Sequence, residues 1–199
     1  MRTLRRVPAL TCLGVVVWLA SACDLLSGPR LEFAVDPQIR LSLAQSNASG
    51  DSLSFGSMML CVSAADTVAT ITGVSVHEPQ GDIRVEAFAV RINPMPAGQG
   101  LGSAKGTLAA IDPAFAPSNR QEVAGLCPAD PGAPTQAEAS ALSELGVQVR
   151  LGSGDIAGGG SLDIAYQVNG RSGTLSIPFG IWLCARVCPD GIGESPAPR

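Results

Sequence analysis

The feature that most constrains this chain is a stretch of strict alternation, closed by a two-residue turn, near the C-terminus. Leu162, Ile164, Tyr166 and Val168 alternate with polar or small residues, Asn169-Gly170 follows, and Leu175 and Ile177 return. Successive side chains on a strand point to opposite faces, and Asn-Gly supplies the positive φ that both central positions of a type I′ turn require. That register sets Val168 opposite Arg171, Tyr166 opposite Gly173, Ile164 opposite Leu175 and Leu162 opposite Ile177. The apolar residues then share one face, which another layer must cover. Pro178 has no N–H for a ladder, so the return strand is an edge strand there or is bulged. Phe179, Ile181 and Leu183 carry the alternation on to Cys184.

The same period recurs upstream in short runs bounded by turn residues. Residues 31–35 and 39–43 read as strands separated by Asp36-Pro37, and 53–63 as a longer strand after a polar loop. Residues 67–77 follow, with Gly73 marking a bulge. In 82–92, Ile83, Val85 and Ala87 face one way while Phe88, Val90 and Ile92 face the other, a one-residue phase change that again predicts a bulge. Asn93-Pro94-Met95-Pro96 breaks the pairing, a glycine-rich loop follows, and 107–111 and 121–126 read as edge strands. Thr135-Gln136-Ala137-Glu138 has the form of a capping box opening one short helix that stops at Gly146. The expected fold is all-β: a single antiparallel β-sandwich, Ig-like or related, over residues 30–188, with one short helix and a flexible tail at 189–199. The block from Cys61 through 67–74 and 88–94, with 177–184, loosely resembles uncharacterised exported proteins of high-G+C bacteria, a likeness that brings no activity with it.

The N-terminus tells where this domain goes. Arg2, Arg5 and Arg6 precede an apolar stretch at 7–20, too short for a confident spanning helix, and small residues follow. That is a signal-peptide pattern. Leu19-Ala20-Ser21-Ala22-Cys23 resembles the lipobox of bacterial lipoproteins, although Ala20 stands where Leu is commonest. The resemblance implies a leader at 1–22, diacylglyceryl transfer to the Cys23 thiol, cleavage before Cys23 and a lipidated tether at 23–29. Two or three acyl chains at about 0.8 kcal/mol per buried CH₂ make such an attachment effectively permanent. Ordinary secretion with Cys23 left as a thiol is the competing reading.

Removing the leader's 22 residues leaves 177, enough for one domain with a sizeable core. Three of the thirteen basic residues leave with it, so ten remain against seventeen acidic ones, a formal charge of −7. This disfavours nucleic acid and electrostatic binding to anionic lipid. Cys61, Cys127, Cys184 and Cys188 remain beside Cys23, and four thiols in an exported domain mean two disulfides. Cys61–Cys184 with Cys127–Cys188 is the pairing we favour, joining the first core strand to the last. Cys184–Cys188 with Cys61–Cys127 is the alternative.

Chemistry-bearing candidates are few. Cys184-Ala185-Arg186-Val187-Cys188 has two thiols at a spacing that could hold Cu(I), since soft thiolates select it. It resembles the Cys-x-x-x-Cys-Pro motif of thioredoxin-fold copper-delivery proteins, but only eleven residues follow it and no βαβ pattern is present. Met58, Met59, Cys61 and His77 suggest a soft-metal cluster, yet adjacent strand residues face opposite ways, so core packing explains the methionines better. His77 is the only histidine, and a Ser-His-Asp triad would have to use it. There is no Gly-x-Ser-x-Gly elbow and no His-Glu-x-x-His. Gly152-Ser153-Gly154-Asp155-Ile156-Ala157 matches a dinucleotide fingerprint in form, but Gly158-Gly159-Gly160 follows instead of a helix, and a flexible loop is expected. No catalytic residue, metal or cofactor is therefore assigned. The expectation is a non-enzymatic lipoprotein, held at the membrane through Cys23, that binds or scaffolds an envelope protein. Thiol or copper handling through Cys184 and Cys188 is the alternative.

Overall fold

Alternation of period two becomes strand almost wherever the sequence carries it. The computed structural model describes residues 28–34, 41–46, 50–92, 102–115 and 121–192. Expectations for the leader, Cys23, the Asp36-Pro37 turn and the last seven residues lie outside them. The described strands are β1 (Leu31–Phe33), β2 (Leu41–Ser46), β3 (Ser52–Val62), β4 (Ala69–Val76), β5 (Ile83–Ile92) and β6 (Ser103–Lys105). The helix α1 (Leu108–Ile111), a 3₁₀ turn at Pro113–Phe115, β7 (Glu122–Val123) and the helix α2 (Gln136–Ala141) follow. The chain closes with β8 (Ser143–Leu151), β9 (Ile156–Gly159), β10 (Leu162–Val168), β11 (Arg171–Ile177) and β12 (Phe179–Cys184).

These strands make an all-β, sandwich-like fold. One sheet runs β1-β3-β8-β5 with β6 also on β3, a second runs β11-β10-β4-β7, and a third runs β2-β12-β9. Each strand lends one row to a shared core. Leu53, Phe55, Met58, Leu60 and Val62 of β3 and Leu145, Val147, Val149 and Leu151 of β8 meet Ile71, Ile164, Ile177, Ile181 and Leu183. The rings of Phe55 and Phe179 stack at 5.2 Å. Each large apolar side chain buried there contributes about 1.5–3 kcal/mol.

The C-terminal hairpin has the expected register, from Val168 opposite Arg171 to Leu162 opposite Ile177. Asn169 and Gly170 both take positive φ, 48° and 74°. Gly173 leaves room for Tyr166, whose ring would lie 2.6 Å from a Cβ at that position. Both expected bulges are present. Ala165 pairs with Gly73 and Tyr166 with Ile71, leaving Thr72 as the extra residue, while Val85 and Ala87 flank an extra Glu86, so that Ile83, Val85, Phe88 and Val90 share the core face and Ala87, expected beside Ile83 and Val85, turns outward. Pro178 closes the edge strand β11, and the chain there changes sheet into β12.

Five expectations need correction. Residues 107–111 are not an edge strand: Thr107 caps α1 by accepting from the Ala110 N–H at 3.2 Å, and Leu108 is buried. The capping box at Thr135 and Glu138 does form, but α2 ends at Ala141, so there are two short helices rather than one. Gly146, expected to stop that helix, sits inside β8, where a Cβ would lie 2.8 Å from Leu108 and Phe115. Residues 156–159 are not loop but strand β9. A Cβ on Gly158 would fall 2.1 Å from the Ile181 carbonyl oxygen, so only glycine lets β9 and β12 approach. Finally, β2 runs parallel to β12 in an otherwise antiparallel assembly.

The favoured disulfide pairing is also overturned, and the alternative is the one formed: Cys61–Cys127 and Cys184–Cys188, with Cα separations of 4.8 and 5.3 Å. Phase explains this. Leu60 and Val62 point into the core, so Cys61 between them points out, joining Ala34, Met59 and Leu142 on the outer side of the five-stranded sheet. Cys184 ends β12 in another sheet.

The registers also define two poles. Residues 28–30 enter beside the end of β3, where Leu31 pairs with Val62. The 63–68 connection, the 169–170 turn, residues 122–127 and the ends of β5 and α2 lie at this same pole, through the pairs Ala69–Val168, Ala69–Val123 and Ile92–Ser143. We call it the entry pole. Cys184 and Cys188 lie toward the opposite one, where Cys184 pairs with Ile156 and Gln80 with Gly158.

The two cystines close loops of very different size, with sequence separations of 66 and 4. By chain entropy, replacing Cys61 and Cys127 with Ala is expected to cost about 4 kcal/mol and replacing Cys184 and Cys188 about 2 kcal/mol. Urea unfolding of the two double variants measures the difference.

Candidate functional site

The outward row of β8 reads Glu144, Gly146, Gln148, Arg150, and it carries most of the buried polar chemistry of the described residues. Glu144 is 0% exposed and Arg91, opposite it on β5, 7%. Glu144 accepts from the Ser57 backbone N–H at 2.8 Å and from the Arg91 Nε–H at 2.7 Å. The other arm of the Arg91 guanidinium binds the Asp112 carboxylate, and its plane lies 4.5 Å over the centre of the Phe115 ring. A buried charge is tolerated only when paired and hydrogen-bonded. Every contact here meets that need and together they fasten the α1 segment to the sheet. Further along, Gln148 donates to Glu86 at 2.8 Å and to Ser52 at 3.2 Å, while its oxygen accepts from the Leu108 N–H at 3.3 Å. Each of these groups is spent on a partner within the fold, so the row acts as a lock between the sheet and its cover.

The second cluster is His77, Asp163 and Ser176 on the solvent face of the four-stranded sheet. His77 Nδ1 lies 2.7 Å from Asp163 Oδ2, and the Ser176 hydroxyl donates to Asp163 Oδ1 at 2.5 Å. The residue types are those of a hydrolase triad, but their order is not. A triad places the imidazole between hydroxyl and carboxylate so that it can take the nucleophile's proton. Here the carboxylate is central and the hydroxyl is spent on it. The hydrogen bond that Asp163 accepts and its charge raise the His77 pKa above the ordinary 6.5. Hydrogen bonds from Ser176 and His77 lower that of Asp163. What this arrangement does chemically is favour the protonated form of an imidazole on an exposed sheet surface.

The soft-ligand candidates do not converge. Met58 packs in the core and Met59 on the outer face beside Cys61, as adjacent strand positions require. Cys184 and Cys188 are joined to one another, next to an exposed Val187. Among the described residues no three His, Cys, Asp or Glu side chains gather into a set that could hold a metal ion. Nor is any helix there long and apolar enough to cross a membrane. Paired cystines of this kind form in oxidising compartments outside the cytosol.

What remains is surface. An apolar cleft of about 310 Å³ opens at the entry pole, lined by Ile92, Ala124, Gly125, Ala141 and Ser143 among others. Four strands end the two larger sheets, β1 and β5 in one and β11 and β7 in the other, and of these β1 and β7 are only three and two residues long. β5 is guarded by charge and by its bulge at Glu86. β11 carries one charged residue, Arg171, across its seven. Such an edge presents unpaired backbone groups to any incoming strand.

Sequence reasoning missed the Arg91–Glu144 pair, although a carboxylate in the outward phase of β8 signals it once the β5–β8 register is known. It missed the Asp163–Ser176 contact too, which the hairpin register already sets opposite each other. The sequence matches no protein-family model and no curated protein.

Two outcomes follow. Glu144→Ala is expected to cost about 3–5 kcal/mol by leaving Arg91 buried without one of its two carboxylate partners, while the joint Arg91→Met, Glu144→Met change costs less; calorimetric melting of the two variants tests this. For His77, NMR titration should give a pKa above 6.5 that falls toward 6.5 in Asp163→Asn. Because the folded pKa is the higher one, the pairing stabilises fully below pH 6.5 and its contribution fades as pH rises through the folded value. The stability advantage of the wild type over His77→Gln therefore shrinks as pH rises from 6.5 through the folded value.

Proposed function

We propose that this chain is an extracytoplasmic lipoprotein, held in a bilayer by acyl chains on Cys23, that acts as a non-enzymatic binding or scaffold module. One observation carries the reading: a basic, short-apolar leader ends in Leu19-Ala20-Ser21-Ala22-Cys23, and the domain behind it bears two cystines. The first feature supports export with lipidation, and the second is the chemistry of a chain that folds outside the reducing cytosol.

The contact surface we assign to a partner is the edge of β11 with which no described strand pairs. Beside a two-residue turn the flanking pair, Val168 and Arg171, exchanges both hydrogen bonds, and the pattern alternates from there. Ser172, Thr174 and Ser176 therefore aim their backbone N–H and C=O groups away from β10. That is the row an extended peptide of an envelope protein would extend by strand addition. Its side chains are small and uncharged, so a second backbone meets little obstruction.

Both halves of the reading are tested in the expressing bacterium. Cys23→Ala is expected to move the protein from the detergent phase to the aqueous phase, and mass spectrometry of the wild type should show an acylated N-terminal Cys23. An unmodified or different N-terminus would sink the anchor. Thr174→Pro removes one outward N–H without touching the β10 ladder. It is expected to leave the melting temperature within a few degrees of wild type while abolishing crosslinks to envelope protein. The absence of any reproducible crosslink in the wild type would sink the binding reading.

A further inference from the structure

We infer that the entry pole is the face this domain lays against the lipid surface, a placement that rests on the acylated Cys23 of the proposed function. The argument begins with reach. Five residue steps separate Cys23 from Gly28, the first described residue, and an extended chain spans at most about 3.6 Å per step, so Gly28 lies within about 18 Å of the anchored residue. β3 runs from one pole to the other over eleven residues, which at about 3.3 Å each is about 36 Å. An inverted domain, resting on the pole of Cys184 and Cys188, would hold Gly28 roughly twice as far from the bilayer as its tether reaches. That orientation is excluded.

Between an upright and a sideways domain the surface decides. Five large apolar residues among those described are exposed, and three stand at the entry pole: Val68 at 45%, Ile92 at 57% and Leu126 at 49%. They come from three separate segments, brought together by the pairing of Ala69 with Val123 and of Ile92 with Ser143, and by the bridge from Val62 to Leu126. Ile92 also lines the 310 Å³ cleft between the 122–125 segment and α2. Exposed apolar groups held at the acyl boundary gain burial that water denies them. Arg171 stands at the same end, its guanidinium 3.1 Å from where a Cβ on Gly28 would be, as does Arg30, which is paired with Glu32 at 2.8 Å. Among the described residues the sides of the sandwich carry no such grouping of exposed large apolar residues, and the solvent face of the β10–β11 hairpin carries Asp163, Gln167, Ser172, Thr174 and Ser176. The remaining two exposed apolar residues, Ile156 and Val187, lie toward the far pole and serve as the internal control.

The mature chain has one tryptophan, Trp182, so a Trp182→Phe background isolates an added reporter. Lipidated protein carrying Val68→Trp, Leu126→Trp or Val187→Trp in that background is reconstituted into phosphatidylcholine vesicles, plain or brominated on the acyl chains. Emission from Val68→Trp and Leu126→Trp is expected to fall at least about twofold in brominated vesicles, with Val187→Trp unchanged. Equal quenching at all three sites, quenching only at Val187→Trp, or none at any site in protein that floats with the vesicles would overturn the placement. Protein that fails to float would instead refute the lipid anchor, and the placement with it. Two reporters at the pole keep the outcome readable should one of them disturb the fold.

Discussion

Everything in this fold leans on β8 being buried on both of its faces. A strand at an exposed sheet surface alternates between core and water, but β8 has only Arg150 exposed in nine residues. Its inner row, Leu145, Val147, Val149 and Leu151, packs in the sandwich core like any other strand of the sheet. Its outer row needs a second cover, and the chain supplies one from α1 and the 3₁₀ turn. Leu108 and Phe115 settle on Gly146, with Ala89 beside them. The cover is too small to hold by apolar area alone, so the Arg91 guanidinium clamps it by reaching Glu144 on the sheet and Asp112 on the cover. Such a pair adds little net stability over an apolar equivalent. What it adds is position, because a guanidinium with two fixed carboxylates admits one seating of the α1 segment.

That double burial also explains where the sequence was legible and where it was not. One-sided strands wrote themselves plainly: the 162–177 register, the phase change at Glu86 and the bulge beside Gly73 all follow from a period of two. β8 was harder, because the helix signals of Thr135 and Glu138 run into it and Gly146 has the look of a helix stop. The outer cover was harder still. Residues 107–111 are β-compatible in composition, and only a partner surface distant in sequence makes them helical. Local propensity yields there to packing, as it commonly does for short elements.

The disulfides were legible in principle. Cys61 sits out of phase with Leu60 and Val62, so a strand carrying those two inward must turn its thiol outward, away from every strand on the other side of the core. A joined pair needs Cα atoms within about 7 Å, which the two faces of a packed sheet do not allow. Linking the first core strand to the last ignored that phase. The His77, Asp163 and Ser176 group illustrates the opposite lesson. The residue types of a hydrolase gathered in one place, and only the order of their hydrogen bonds showed that no base faces the hydroxyl.

The fastenings of the described residues are concentrated at the N-terminal end, where the proposed anchor would apply its load. A domain tethered at its N-terminal end transmits every pull through its entry strand, and β1 has only three residues. Its neighbourhood is correspondingly reinforced. The Arg30 N–H donates to the Ser63 hydroxyl while the Ser63 N–H donates to the Arg30 carbonyl, and the Ala34 N–H reaches the Met59 carbonyl beyond the strand's other end. Directly beneath, Cys61 pairs with Glu32 in the ladder and is covalently joined to Cys127, whose segment bonds back to Val62. A pull on residue 28 is thus shared between β3, which lies beside the core strand β8, and the segment that crosses the entry pole. The large loop is closed where load would enter and the small one at the far pole.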